Sequence, residues 1–338
     1  MTETNQHLQS TCAKGRWWLA GHPDHVLPGE ITYGTCSGAE VHLFGSFYGP
    51  SDQSFLKSRP TLLGVTVKGE RITLFNCMPA GATFHIGGGG GASSVIKSCF
   101  GIVGSHYDTP DSICISRIKV AFNGLFEWTA TSGVKLDIQE EPGKFQLSYQ
   151  SPSILSLGSF HTGKGSLEFT ATLDPNVGLH RISESCVFVL DCDNASSYAK
   201  IEDDIQTFQL LLTLATQRPA YALQIIGRDP TVSDNKDLIF IRKLGVTEKD
   251  LERQHTLQML FCLEDIREDI QNFIRNLVEK RNQLRPCFDL YFSTVYDNSH
   301  SPRVDVLLLA QALEGIHRIT VGGRYVDDKI WRFAKLGG

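Results

Sequence analysis

From Glu30 to about Leu190, apolar and polar residues alternate in short runs cut by glycine, the two-residue period of strands with one buried face. The pattern predicts strands over residues 31–36, 41–47, 62–67, 71–75, 113–122, 144–149, 166–172 and 186–190. Ser37-Gly38, Lys68-Gly69, Asn123-Gly124, Ser132-Gly133 and Pro142-Gly143 are turn signals between them. Lys68-Gly69 and Asn123-Gly124 are read as hairpin turns, because glycine takes the positive φ that a tight turn between twisted strands requires. From Ser196 the period lengthens. Ile201, Ile205, Phe208, Leu211, Leu212 and Ala215 fall on one face of a helix that Arg218-Pro219 ends, and two further strands follow at 221–226 and 238–241.

The last third of the chain is helical in pattern. Ile266, Ile270, Phe273, Ile274, Leu277 and Val278 recur at i, i+3 and i+4, which writes a core-facing stripe. A second amphipathic stretch at 284–295 and a third at 304–319 supply partners for it, and only a tail carrying Tyr325, Ile330, Trp331 and Phe333 follows. The expectation is a bundle whose last helices are missing. The fold class is therefore α+β: an N-terminal β-rich sandwich or open barrel (1–195), an α/β continuation or linker (196–255), and an incomplete C-terminal helical bundle (256–338). No repeat of about 20–50 residues is visible.

Composition narrows the class. The 338 residues, 41% hydrophobic, are enough to bury a large core. No apolar run of about eighteen residues predicts a membrane span, and the amino terminus lacks the layout of a secretory signal, so the cytoplasm is expected. Nine cysteines without a C-x-x-C pair fit buried thiols in a reducing compartment rather than a disulfide framework or zinc ribbon. A net charge of -5 argues against a wholly basic nucleic-acid coat.

Candidate chemistry is sparse. The glycine run at 87–91 resembles a phosphate loop only in composition: it lacks the Gly-Lys-Ser/Thr that opens a helix, and Val95 and Ile96 after it read as a strand. A flexible connector is the better account. His22, Asp24 and His25 make a metal set only if a second ligand pair exists, and none follows at a suitable spacing, so no metal or other cofactor is expected. His85, His106, His161 and His180 are scattered, and Glu202, Asp203 and Asp204 are explained by the helix macrodipole. Trp17, Trp18 and Trp128 are candidates for stacking a base or ligand, with core packing as the other reading. One of Trp17 and Trp18 should face away from the core, since consecutive strand residues point to opposite sides.

Several separated strings resemble one family. ITYGTCSGAEVHLFGSF, then TLLGVTVKGERITLFNC, then SCFGIVGSHYDTPDSICISRIKVAFNGLFEW are similar in content and order to the N-terminal domain of the ApeA family of bacterial proteins. The matching positions are Gly64, Gly69, Ile72, Thr73 and Leu74 in a hairpin, and Leu125 and Trp128 in a later Leu-x-x-Trp. MLFCLEDI, LRPCFDLYFSTVYD and LLLAQALEGIHR resemble the opening helices of the HEPN domain that follows in ApeA proteins. The resemblance implies a role in defence against phage, with the N-terminal domain sensing and the HEPN domain cutting RNA without a metal. HEPN nucleases place an arginine and a histidine four to six positions apart on a late helix. This chain has no such pair there: RNQLRP, starting at Arg281, lacks the histidine, and Arg16 with His22 lies in the amino-terminal arm.

No catalytic residue is identified. Glu314, His317 and Arg318 meet on one helix face, either as a surface ion pair or as support for a HEPN cleft completed elsewhere. The preferred expectation is a non-catalytic ApeA-like defence protein with an incomplete HEPN unit. Its partners would be a phage-derived ligand or protein and a second copy through the helical region, with RNA as substrate in full-length relatives and no membrane. An active RNA endonuclease and a ligand-binding β-sandwich without a defence role are the alternatives.

Overall fold

A computed structural model describes residues 10–48, 59–83, 92–138, 145–174, 181–232, 236–297 and 299–322. The glycine run at 87–91, the Pro142-Gly143 turn, His85, His180 and the aromatic tail from residue 323 lie outside them.

The first strands are β1 (Thr11–Leu19), β2 (Leu27–Gly34), β3 (Gly38–Leu43), β4 (Leu62–Thr66) and β5 (Arg71–Phe75). After β6 (Met78–Thr83) the chain runs through β7 (Ser93–Ser98) and β8 (Phe100–Val103), which a bend at Cys99 separates. The later strands are β9 (Cys114–Phe122), β10 (Val134–Ile138), β11 (Phe145–Tyr149), β12 (Leu155–Ser159), β13 (Gly163–Asp174), β14 (Arg181–Ser197), β15 (Ala222–Arg228) and β16 (Asp237–Arg242). Fourteen of them form one sheet in the order β12-β13-β14-β9-β15-β16-β8-β5-β4-β1-β2-β3-β7-β6, and β10 and β11 form a separate pair. All of the pairings are antiparallel. The α+β class and the sandwich-like open sheet agree with the period-2 pattern.

The bend at Cys99 gives the sheet its shape. Before it, β7 pairs with β3; after it, β8 pairs with β5, so the pairing β5-β4-β1-β2-β3 returns to its start through one bent segment. The ring encloses Trp17, Ile31, Val41, Leu62, Leu74 and Ile96. Trp17 is fully buried opposite Gly64, where a Cβ would lie 2.2 Å from the indole ring. Only glycine leaves room for the indole at that position.

The other half of the sheet carries the helices. Helix α1 (Leu125–Thr129) and helix α2 (Tyr198–Thr216) pack on β14, and α2 also touches β9. All six predicted face residues of α2 are buried, and each of the larger ones, Ile201, Ile205, Phe208, Leu211 and Leu212, stabilises by roughly 1.5–3 kcal/mol. Helix α3 (Ile270–Tyr296) lies against β12 and α2, with Ile270, Ile274 and Val278 buried as the stripe required. Helix α4 (Pro302–Thr320) packs on α3 and buries only Ala312 among its apolar residues. Val306, Leu309 and Leu313 are left exposed on α4.

Four expectations are corrected. Asn123-Gly124 is not a hairpin: Gly124, at φ +71°, turns the chain from β9 directly into α1. The stretch 284–295 is not a second helix, because α3 continues through the exposed Pro286. The first strand is not the one predicted at 31–36: Trp17 and Trp18 lie within β1, whose small and polar residues 11–16 hid its period. The cysteines are all free, but only Cys36, Cys77, Cys186 and Cys287 are buried, while Cys12 and Cys99 are exposed. Residues 222–242 supply β15 and β16 to the middle of the large sheet, between β9 and β8.

Candidate functional site

Helices α2 and α3 and the end of β16 line an open cavity of about 350 Å³. Arg281 fixes the two helices together at one end. Its Nη1 donates to the Asp203 carbonyl at 2.7 Å and to Thr207 Oγ1 at 3.1 Å, and its Nη2 donates to Gln206 Oε1 at 2.8 Å. Tyr296 fixes the other end. Its hydroxyl donates to the Ala220 carbonyl at 2.7 Å and accepts from Ala220 N at 3.1 Å and Gln209 Nε2 at 3.1 Å. Burial raises the Tyr296 pKa above its ordinary value, so the hydroxyl stays protonated and available as a donor.

Between these anchors the walls are cationic and aromatic. Arg285, Phe288 and Phe292 continue the α3 face at spacings of three and four residues, and Tyr296 follows four further on. Phe292 meets Tyr296 edge-on, with ring centroids 5.6 Å apart at 88°. Arg242 enters from β16; its side chain is 21% exposed, and its one ion pair among the described residues is to Glu202 at 3.7 Å. Asp289 is the one carboxylate in the lining, against three arginines. The arrangement is suited to holding an anion beside a flat apolar group.

A larger depression of about 480 Å³ lies between Leu155 and the 267–272 stretch. Its lining carries Glu268 and Asp269 against one cation, Arg267, which already pairs with Glu264 at 3.1 Å, and Asp269 accepts from the Asn272 amide. Leu155 and Ile270 are its apolar walls, which offer no flat surface for a ring. The smaller cavity is therefore the better candidate.

The residues singled out from sequence lie elsewhere. Trp17 and Trp128 sit in two different cores with no exposed surface, so neither has a face on which a ligand could stack. Each indole N–H is buried without a hydrogen-bond partner, a cost of roughly 1–3 kcal/mol that ring burial offsets. Trp18 is half-buried on the outside of the ring, edge-on to His106 at 5.3 Å. Glu314 accepts from Arg318 in an exposed pair on α4, with His317 on the same helix; none of the three lines either cavity.

Glu202, Asp203 and Asp204 belong to the second turn of α2, not its first, and each has a specific partner in place of the macrodipole. Glu202 faces Arg242 and Asp203 faces Arg281, while buried Asp204 accepts from the backbone N–H groups of His161 and Thr162 at 3.0 and 2.9 Å. His22 and His25 are exposed, and His25 packs edge-on against Phe47. Among the described residues no three His, Cys, Asp or Glu side chains converge as a metal set, and no helix is long and apolar enough to cross a membrane.

Sequence reading missed the cavity. Its one local signal is the mixed stripe Arg281, Arg285, Phe288, Phe292, Tyr296, which looks like an ordinary amphipathic face until Arg242 is brought beside it.

No curated protein and no solved structure matches the chain. The family description ApeA N-terminal domain 1 does match, over residues 12–277. That match covers well over half of the 338 residues and runs from β1, through the whole of the large sheet and α2, into the first part of α3; the chain belongs to the ApeA N-terminal domain family.

Proposed function

We propose that this chain is the sensing part of a bacterial anti-phage protein of the abortive-infection type, working in the cytoplasm, and that it does not itself cut RNA. The family match supports the defence role. In this reading α3 and α4 belong to a HEPN-type helical unit through which two copies pair, and RNA is the substrate only of relatives with a full catalytic pair. A phage-derived ligand or protein is the trigger.

One observation carries the non-catalytic part. The late-helix polar group, Glu314, His317 and Arg318, lies outside both cavities, and Arg318 is held by Glu314 on an exposed surface. General acid–base cleavage at a ribose 2′-hydroxyl needs a histidine and a cation converging on one phosphate.

Two measurements test the proposal. In the host cell, deletion of the gene is expected to raise plaque formation by at least one phage of a panel, and unchanged plating across the panel overturns the defence role. The purified chain is expected to leave bacterial total RNA intact; cleavage that disappears in Arg318→Ala shows an enzyme instead.

A further inference from the structure

We propose that the cavity between α2, α3 and the end of β16 binds a free mononucleotide, with its phosphate against Arg242 and Arg281 and its base against Phe292 and Tyr296. This deepens the sensing reading by naming a ligand class, and it rests on that reading only for the purpose that binding serves.

Arg242 is the residue the fold leaves unexplained. Its side chain is largely buried, yet its nearest carboxylate oxygen, on Glu202, stands 3.7 Å away, beyond hydrogen-bond reach, and its guanidinium makes no hydrogen bond to any described residue. Its guanidinium nitrogens still reach solvent, so their N–H donors are free to receive an oxyanion that enters the cavity, as charge-assisted hydrogen bonds. Arg281, 15% exposed, stands in the same wall with its nearest carboxylate, on Asp203, at 3.5 Å. Its Nη donors already hold Asp203, Thr207 and Gln206, so it is a fixed cation against which a phosphate would settle without reordering the site.

The aromatic end specifies more than an anion. Phe288, Phe292 and Tyr296 are half-buried at i, i+4 and i+8 on one face of α3, and the hydroxyl network of Tyr296 locks the last ring in place. Flat heterocycles of any base stack on such rings. Gln209, also in the lining, uses its amide N–H on Tyr296 and keeps its carbonyl oxygen as an acceptor for a base edge. Volume selects among phosphorylated aromatics. About 350 Å³ is at the small end of ligand cavities, sufficient for one base, sugar and phosphate and too small to enclose an oligonucleotide.

The test is equilibrium binding to the full chain by isothermal titration calorimetry, with AMP, GMP, CMP and UMP as separate probes beside adenosine and inorganic phosphate. At least one nucleotide is expected to bind, and to do so about tenfold or more tightly than either adenosine or phosphate alone. Arg242→Gln and Phe292→Leu are each expected to weaken that binding about tenfold, with the thermal unfolding midpoint showing that both variants fold. The inference is overturned if none of the four nucleotides binds, if phosphate alone binds as tightly as the best of them, or if both folded variants bind like the parent. It is equally overturned if a short single-stranded RNA binds and none of the nucleotides displaces it. Absence of binding together with a plaque phenotype on gene deletion removes this inference and leaves the sensing role standing; binding without any plaque phenotype supports the site and removes the defence reading.

Discussion

His106 shows how one residue's surroundings set a condition on the whole chain. Its Nε2 lies 2.9 Å from the Gly64 carbonyl, and the edge of Trp18 packs on its ring. Burial holds its pKa below the ordinary 6.5, opposed by the Gly64 hydrogen bond and aided by nearby Arg71. The folded state therefore resists a proton that the unfolded state accepts. Stability from this group is complete above pH 6.5 and is lost as pH falls below that value towards the folded pKa. In urea titrations the midpoint should drop between pH 7 and pH 5.5, and His106→Gln should shrink that drop; an identical pH slope in the variant would remove His106 as the cause. The neighbouring tryptophans show what is legible at this scale. Alternation within a strand requires Trp17 and Trp18 to face opposite ways, but the choice of Trp17 as the inner one depends on Gly64 across the ladder, which leaves space for an indole.

Among the elements, α3 and α4 behave differently although their sequences look alike. Helix α3 is tied to the sheet and to α2 through its apolar stripe and through Tyr296. Tyr296→Phe leaves the Ala220 N–H and carbonyl and the Gln209 amide short of a partner, and it is expected to cost about 1–3 kcal/mol in urea denaturation. Leu313→Ser on α4, where the side chain is 68% exposed, should change stability by less than about 0.5 kcal/mol in the same assay. Equal losses in the two variants would mean that the face of α4 is covered after all. The stripe that periodicity writes on α3 is buried at Ile270, Ile274 and Val278, whereas on α4 only Ala312 is buried. Periodicity carried no information on which stripe would find a neighbour, because that depends on elements far away in sequence.

At the scale of the molecule, the ring and the helix-covered half share their walls. Along β5 and β8, Leu74 and Val103 point into the ring core while adjacent Phe75 and Ile102 point into the other core, and Ile241 and Phe240 of β16 divide in the same way. Loss of either core therefore exposes one face of strands the other requires, and the described body is expected to unfold in a single cooperative step. Trp17 and Trp18 lie on the ring and Trp128 in the other core, so a Trp17→Phe/Trp18→Phe double variant and a Trp128→Phe variant followed by fluorescence should each give one transition, coincident with far-UV circular dichroism. Two transitions separated in denaturant would show two independent units.

What sequence alone determined is what local periodicity carries: the turn from strands to helices near Ser196, the buried face of α2, the stripe of α3, the Lys68-Gly69 hairpin with its positive-φ glycine, and the family resemblance of the sheet region. The tertiary structure alone decided the closure of the ring through the bend at Cys99, the burial of Trp17 and Trp128, and the meeting of Arg242 with Arg281 beside three aromatic rings. The physical reason is range. A period of two or 3.6 residues fixes which side of an element is apolar, whereas the partner on that side is fixed by pairing and packing between segments that lie far apart along the chain.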